Sequence, residues 1–182
     1  MFLHVVGALA LFAGIGLEQA SLRNLSRAST SAQAREWVTL LRGRRRVEGP
    51  AALIIVATGV YLVATRWGYH AWIGLGLLGL VLMAVLGAAL TGRRISAIAQ
   101  ALPADDGPIP TALRERLRDP LLRTTATLRA ALALGIVFNM TVKPGTAGAF
   151  AAIGVALALG AAVAGWTGIR HAVPTGQYGA ES

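Results

Sequence analysis

The chain has 182 residues, of which 55% are hydrophobic and only 14% are charged, and its formal net charge is +9. An average soluble domain is about 25% charged, so this composition excludes a disordered chain and argues against an ordinary soluble enzyme. Cysteine is absent, which excludes disulfides, zinc–thiolate sites and thiol catalysis. The length fits one domain or one small bundle.

Five long stretches carry almost no charge, which predicts an all-α, polytopic transmembrane helical bundle. The predicted spans are residues 2–17, 50–65, 71–90, 120–142 and 147–167. A membrane-spanning helix needs roughly 17–25 mostly apolar residues, and soluble proteins rarely contain five such runs. The first two runs are short, but Glu18, Arg23 and Arg66 can lengthen them by extending toward the lipid headgroups. For these two runs, a buried helix in a soluble bundle is the alternative.

The connectors between the spans alternate between long basic segments and tight turns. The inner loops are 18–49 and 91–119, and the outer turns lie near Arg66 and Lys143. The chain has 17 lysine and arginine residues. All of them except Arg66 and Lys143 lie in the inner loops, in the C-terminal tail or at the start of the fourth span. Cytoplasmic loops carry such an excess, so we predict a plasma-membrane protein with its N-terminus outside and its C-terminus cytoplasmic.

The first inner loop contains a short amphipathic helix with basic residues after it. Its apolar stripe, at helical spacing, consists of Ala34, Trp37, Val38 and Leu41. The basic residues are Arg42, Arg44, Arg45 and Arg46. One interpretation lays this helix flat on the membrane, with the arginines against anionic lipid headgroups at the cytoplasmic face. The alternative is a solvated loop that only sets the topology. The predicted partner of the chain is the lipid bilayer and not nucleic acid.

The second inner loop leads into the fourth span through recognisable signals. Residues 111–118 are expected to form a short helix, and Asp119-Pro120 reads as the N-cap and first residue of the fourth span. Arg123 and Arg129 follow near its inner end. We expect both side chains to extend to the cytoplasmic face, with an Arg129 that points into the bundle as the alternative.

Glycines inside the spans predict close helix packing. The G-x-G-x-x-G pattern consists of Gly74, Gly76 and Gly79. A dinucleotide site needs this pattern between a strand and a helix, so inside an apolar span it indicates instead the close approach of a neighbouring helix. The fifth span carries a comparable small-residue ridge, formed by Gly154, Ala158 and Ala162.

A set of polar residues lies at the predicted outer rim. They are His4, Arg66, Tyr69, His70, Asn139 and Lys143. Two histidines at one level can ligate haem iron or copper, so His4 and His70 are the candidate cofactor-binding and metal-binding residues. The alternatives are ordinary interfacial histidines or a gate for a polar substrate. Asn139 is expected to form an interhelical hydrogen bond.

Three short segments carry a family resemblance. They are Leu3-His4-Val5-Val6-Gly7, Thr58-Gly59-Val60-Tyr61-Leu62 and Phe138-Asn139-Met140-Thr141-Val142-Lys143-Pro144. These segments resemble a family of uncharacterised small bacterial predicted integral membrane proteins, which implies only a polytopic membrane protein. More distantly, the histidine of the first helix is similar to that of CopD-type copper-resistance membrane domains and HemJ-type protoporphyrinogen oxidases. The HemJ-type proteins bind haem through this histidine and a lysine, so the likeness implies haem b with His4 as a ligand.

These observations predict a non-enzymatic integral membrane protein, either a structural or an accessory bundle. No catalytic residue set is identified, and no carboxylate falls in the middle of a predicted span, which weakens the case for a proton-coupled transporter. The alternatives are a haem-binding or copper-binding membrane redox protein that uses the outer-rim histidines, and a small permease. The predicted protein partner is either a second copy of the chain or another membrane subunit.

Overall fold

The structure is a computed structural model that describes residues 1–172, without the side chains of Trp67 and of residues 167–172. The predicted C-terminal tail therefore lies largely outside the described residues. Within them the chain is mostly helical and has no β-strand. The helices are α1 (Phe2–Leu25), α2 (Ser31–Gly43), α3 (Arg45–Leu62), α4 (Ala71–Val85), α5 (Arg93–Ala101), α6 (Thr111–Leu117), α7 (Pro120–Val142) and α8 (Thr146–Ala172). A π-helical turn, Val63–Trp67, extends α3, and another, Leu86–Gly92, joins α4 to α5.

Five helical stretches of the described chain are long and apolar enough to cross a membrane. They are Phe2–Leu25, Ser31–Arg66, Ala71–Ala101, Thr111–Val142 and Thr146–Trp166. The predicted helical bundle with five long apolar helices is thereby confirmed. Several helices run past the predicted spans, because helical hydrogen bonding continues through charged residues once one face is buried. Thus α1 ends at Leu25 and not near residue 17.

The packing centres on α7, which contacts α1, α4 and α8, whereas α3 packs chiefly on α1. A tight turn joins α3 to α4, and its Gly68 adopts a φ of 66°, which favours glycine. Although α3 and α4 are consecutive, α3 packs mainly on α1 and α4 packs mainly on α7. Their arrangement leaves a cleft between α3 and α4.

Buried apolar side chains form two separate cores. The span core consists of Leu11, Ile15, Ala51, Met83, Leu132 and Ala133. The cap core consists of Leu22, Leu25, Ala28, Ala34, Val38, Leu41, Ile95, Ile98, Ile109, Leu113, Leu117, Leu122 and Ala126. We call α2, α5 and α6, together with the adjoining ends of α1 and α7, the basic cap. The two long inner loops are thus mostly folded into this cap.

The amphipathic helix of the first inner loop is confirmed as α2, but neither predicted environment is correct. Ala34, Val38 and Leu41 are buried in the cap core, with Trp37 packed against it. The stripe is therefore covered by the chain itself and faces neither lipid nor water. The reason is that α5 and α6, from the second inner loop, supply matching apolar faces.

The predicted helix starts in the second inner loop are confirmed. The short helix α6 occupies Thr111–Leu117, and the Asp119 side chain caps α7 by accepting a 2.9 Å hydrogen bond from the Leu121 amide. Arg35 of α2 holds the proline-rich segment before α6 against the cap. It donates a 2.6 Å hydrogen bond to the Pro103 carbonyl and forms an ion pair with Asp106.

The glycine predictions have two outcomes. A Cβ added to Gly79 would lie 2.8 Å from Ile136 Cδ1 of α7, so the predicted close approach to α4 is confirmed. On the fifth span, a Cβ added to Gly154 would meet nothing within 4 Å, so Gly154 makes no close approach to another helix within the described chain. Instead, α8 approaches α7 at Gly160, where an added Cβ would lie 2.7 Å from Ala131 Cβ.

Candidate functional site

Four charged side chains assemble inside the bundle, and we call them the charge cluster. They are Glu18, Arg44, Glu48 and Arg129. Glu18 is fully buried, Arg129 is 3% exposed and Arg44 is 4% exposed. Charged residues are almost never this buried unless they are paired, so the cluster is the feature of the fold that most needs an explanation.

The charge cluster separates the two apolar cores. On α1, Glu18 comes after Ile15 of the span core and before Leu22 of the cap core. Arg129 occupies the corresponding place on α7, where it precedes Leu132 of the span core. The cluster thus lies at the junction between the apolar helices and the basic cap.

Arg129 makes contacts through three of its nitrogen atoms. Its Nη1 donates to Glu18 Oε2, its Nη2 lies 3.1 Å from Glu48 Oε2, and its Nε donates a 3.1 Å hydrogen bond to the Met83 carbonyl. Met83 lies just before the π-helical turn Leu86–Gly92, and such turns are frequent at functional sites.

Arg44 closes the cluster from the start of α3. Its Nη2 lies 2.9 Å from Glu18 Oε1, and its Nη1 donates a 2.5 Å hydrogen bond to Glu48 Oε2. Each carboxylate therefore meets two guanidinium groups, and the four formal charges cancel. Such reciprocal, charge-assisted bonding is what allows ionised groups to remain buried.

Two glycines provide the space for the cluster. A Cβ added to Gly14 of α1 would lie 2.7 Å from Glu48 Cγ, and one added to Gly87 would lie 3.0 Å from Arg129 Cζ. Glycine at these positions lets the charged side chains of neighbouring helices lie directly against the backbone.

From the sequence, Glu18 and Arg129 lie near the inner ends of their spans, and their side chains are expected to extend toward the lipid headgroups. The structure shows that this expectation is wrong. Both side chains point inward because each supplies the other's counter-charge; for Arg129, the alternative of an inward side chain is confirmed. Two features of the sequence could have indicated this cluster. Glu18 falls four residues after Gly14, on the face of α1 that is buried, and Arg44 and Glu48 form an (i, i+4) pair.

Two cavities flank the arginines at the start of α3. The first, which we call the groove, has a volume of about 300 Å³, lies between α3 and α4, and is lined mainly by apolar residues and by members of the charge cluster. The second, which we call the arginine pocket, has a volume of about 260 Å³. Its lining residues are Leu41, Arg42, Arg44, Arg45, Thr91, Gly92, Ile95 and Ser96. Arg44 and Arg45 line both cavities.

The predicted basic surface thus divides into two kinds of residue. Arg42, Arg45 and Arg46 are exposed, whereas Arg44 is buried in the charge cluster. The expectation that Arg44 faces lipid headgroups is therefore incorrect, because Glu18 and Glu48 hold its guanidinium inside the bundle.

The two outer-rim histidines make different contacts. His4 Nδ1 shares a 2.9 Å hydrogen bond with Thr58 Oγ1, which links α1 to α3. His70 is exposed and stacks on Trp72, with ring centroids 6.1 Å apart. The described residues contain no group of three or more histidines and carboxylates placed to hold a metal ion. A copper site shared by His4 and His70 stays a prediction.

The other outer-rim residues lie where the connectors turn. Arg66 and Tyr69 are exposed at the α3–α4 turn, and Lys143 ends α7 in a left-handed conformation with a φ of 51°. Asn139 is buried, and its Nδ2 donates a 3.2 Å hydrogen bond to the Ala149 carbonyl of α8, which confirms the predicted interhelical bond.

The resemblance to HemJ-type proteins would require a lysine beside the histidine of the first helix, and residues 71–90 contain no lysine. Lys143 belongs to the end of α7 instead. We therefore assign no step to haem.

Comparison with known proteins gives no matching family, no matching curated protein and no matching solved structure. The function is therefore inferred from the geometry of the charge cluster, the two cavities and the exposed surface.

Proposed function

We propose that this chain is a non-enzymatic integral membrane protein, a structural or accessory bundle of the plasma membrane. An apolar belt on the outside of the long helices carries the proposal. Its side chains Leu53, Val60, Leu78, Leu134 and Leu159 are between 61% and 70% exposed. Soluble monomers rarely expose a large contiguous apolar surface, whereas lipid removes the penalty for exposing it.

The charge distribution supports an orientation with the basic cap in the cytoplasm. The cap gathers most of the arginines, whereas the opposite ends of the helices carry Arg66 and Lys143. Because cytoplasmic loops are typically rich in lysine and arginine, this distribution favours an N-terminus outside and a C-terminus inside.

The internal pairing of the charge cluster supports a structural role. Its four members join α1, α3 and α7 at the boundary between the span core and the cap core. Because both carboxylates are engaged by two arginines, the cluster holds the basic cap in a fixed position against the apolar helices. A rigid cap of this kind suits a subunit that presents a surface to a partner or to lipid.

The orientation is tested by single cysteines, for which the cysteine-free chain provides an unlabelled background. Tyr69→Cys, at the exposed α3–α4 turn, is expected to react with a membrane-impermeant maleimide in intact cells. The matched variant Gln100→Cys, exposed in the basic cap, is expected to react only after the membrane is opened. Labelling of Gln100→Cys in intact cells would overturn the orientation, and release of the protein from membranes without detergent would overturn membrane insertion.

The buried charges also favour a second candidate function, a small permease. Ionisable side chains inside a membrane bundle often mark ion or substrate pathways, and the groove reaches both Glu48 and Arg129. The charge cluster thus supplies buried carboxylates, which lie at the inner ends of the predicted spans.

Proton flux into proteoliposomes distinguishes the two candidates. With a trapped pH-sensitive dye and an imposed pH gradient, the structural proposal predicts a flux equal to that of empty liposomes. A faster flux that Glu48→Gln abolishes would favour the permease instead. Glu48 is the residue to change because its side chain, 12% exposed, is the most accessible of the cluster.

A further inference from the structure

We infer that the cleft between α3 and the α4–α5 helices is a binding site for a phosphate-bearing anionic lipid. In this inference the phosphate lies in the arginine pocket and an acyl chain lies in the groove. The inference rests on the proposed membrane location, and it adds to that proposal a defined ligand class and a defined site.

The arginine pocket has the chemistry of a phosphate site. Arg42, Arg44 and Arg45 line it, and no carboxylate does. Among the described residues, Arg42 and Arg45 make no ion pair, so their charges are not neutralised by the chain. A Cβ added to Gly92 would collide with Arg45 Nη2, so glycine allows this guanidinium to lie against the α4–α5 junction. Guanidinium groups bind phosphate oxygens through two parallel hydrogen bonds.

Two buried polar atoms of the lining lack a hydrogen-bond partner. They are Arg44 Nε and Thr91 Oγ1, and within the described part of the chain nothing bonds to either. Thr91 is 1% exposed, and leaving a buried donor without a partner is destabilising. Both residues line the arginine pocket, so a phosphate there would lie next to two groups that the described chain leaves without a partner.

The groove continues from the arginine pocket along the apolar helices. Its apolar lining includes Leu11, Ala52, Leu80, Met83, Ala84 and Ala88. Arg44 and Arg45 are shared by both cavities, so a charged head and an apolar tail would occupy adjacent spaces. The groove, at about 300 Å³, is at the lower end of the range for ligand pockets, roughly 300–1,000 Å³, and the arginine pocket, at about 260 Å³, is slightly smaller.

The position of the cleft along the helices matches the depth of a lipid. Thr91 directly follows the predicted span 71–90, and Arg45 precedes the predicted span 50–65, so the pocket lies at the expected headgroup level. The groove extends from there into the apolar part of the bundle. A free phosphate would satisfy the pocket but leave the groove unfilled, which is why we assign a lipid.

The test measures lipid binding to the full chain in an uncharged detergent by native mass spectrometry. Dioctanoyl phosphatidylglycerol is the probe, and dioctanoyl phosphatidylcholine and inorganic phosphate are the comparison ligands. We expect Arg45→Gln to weaken phosphatidylglycerol binding about tenfold, as the loss of one charge-assisted contact would. Arg46→Gln removes the same charge from the adjacent position, which does not line either cavity, and is expected to change binding less than twofold.

Three results would overturn the inference. Equal weakening by Arg45→Gln and Arg46→Gln would indicate general attraction to positive charge. Equal binding of phosphatidylcholine would remove the headgroup preference, and displacement of the lipid by equimolar inorganic phosphate would indicate a free-anion site. Thr91→Val, which removes only a hydroxyl, provides a second variant with the same expected direction if Arg45→Gln fails to fold. Because cysteine labelling measures insertion independently, the proposed function can hold while this inference fails.

Discussion

Arg129→Met is expected to destabilise the folded bundle by about 3–5 kcal/mol, the typical effect of removing one partner from a buried ion pair. The substitution keeps most of the side-chain volume but leaves Glu18 fully buried with only Arg44 as its counter-charge. It also removes the hydrogen bond from Arg129 Nε to the Met83 carbonyl. The free energy of unfolding is measured in detergent micelles with guanidinium chloride, from the fluorescence of the four tryptophans.

Arg123→Met is the matched control for this prediction. Arg123 lies on the same helix and is partly buried, and its Nη2 donates a single 2.6 Å hydrogen bond to Ser26 Oγ. We expect a loss of about 1 kcal/mol, the usual value for one hydrogen bond. Adding Glu18→Gln to Arg129→Met should restore part of the stability, because it neutralises a carboxylate that has lost one partner. If Arg129→Met were no more harmful than Arg123→Met, the charge cluster would not be what joins the two cores.

The features that the sequence predicted correctly depend on local information. The apolar runs define the five long helices because length and hydropathy suffice to identify them. Asp119 and Pro120 mark the start of α7, since capping involves only neighbouring backbone groups. The stripe that begins at Ala34 predicted α2 from its period alone.

The features that the sequence did not reveal depend on which helices become neighbours. The search for uncharged runs ends the first span before Glu18 and places Arg129 near the inner end of the fourth span, so both side chains are expected to reach the headgroup region. Their actual direction follows from the approach of α1 to α7, which brings opposite charges together across 111 positions of the sequence. The covering of α2 has the same origin, because Ile95 and Ile98 come from the other inner loop.

The arginines around the arginine pocket are recognisable as a basic run in the sequence, but their different roles follow from the fold. One of the two interpretations of the sequence sets Arg42, Arg44, Arg45 and Arg46 against anionic headgroups, but adjacent arginines cannot all play the same role on one helix. The fold turns Arg44 inward to the charge cluster, directs Arg45 toward the α4–α5 junction and leaves Arg46 away from both cavities. The proposed lipid site depends on this division, which only the three-dimensional arrangement defines.

The second large effect is expected at the crossing of α7 and α8. Gly160→Val should destabilise the bundle by about 1–3 kcal/mol relative to Gly154→Val, because an added Cβ at Gly160 would lie 2.7 Å from Ala131 Cβ. A Cβ is fixed to the backbone, so the clash can be relieved only if the two helices move apart. At Gly154 an added Cβ meets nothing within 4 Å, and that variant should unfold at the same denaturant concentration as the original chain or slightly above it.

The comparison isolates the helix crossing from the change in residue type. Both glycines lie on α8 and receive the same substitution, so the gain in helix propensity, a few tenths of a kcal/mol or more, is common to both variants. Spacing alone favoured Gly154 as the packing position, whereas the fold favours Gly160, because α8 presents this face to Ala131 and Leu128 of α7. A larger loss of stability for Gly154→Val than for Gly160→Val would contradict the crossing and show that the ridge of Gly154, Ala158 and Ala162 packs against a second molecule.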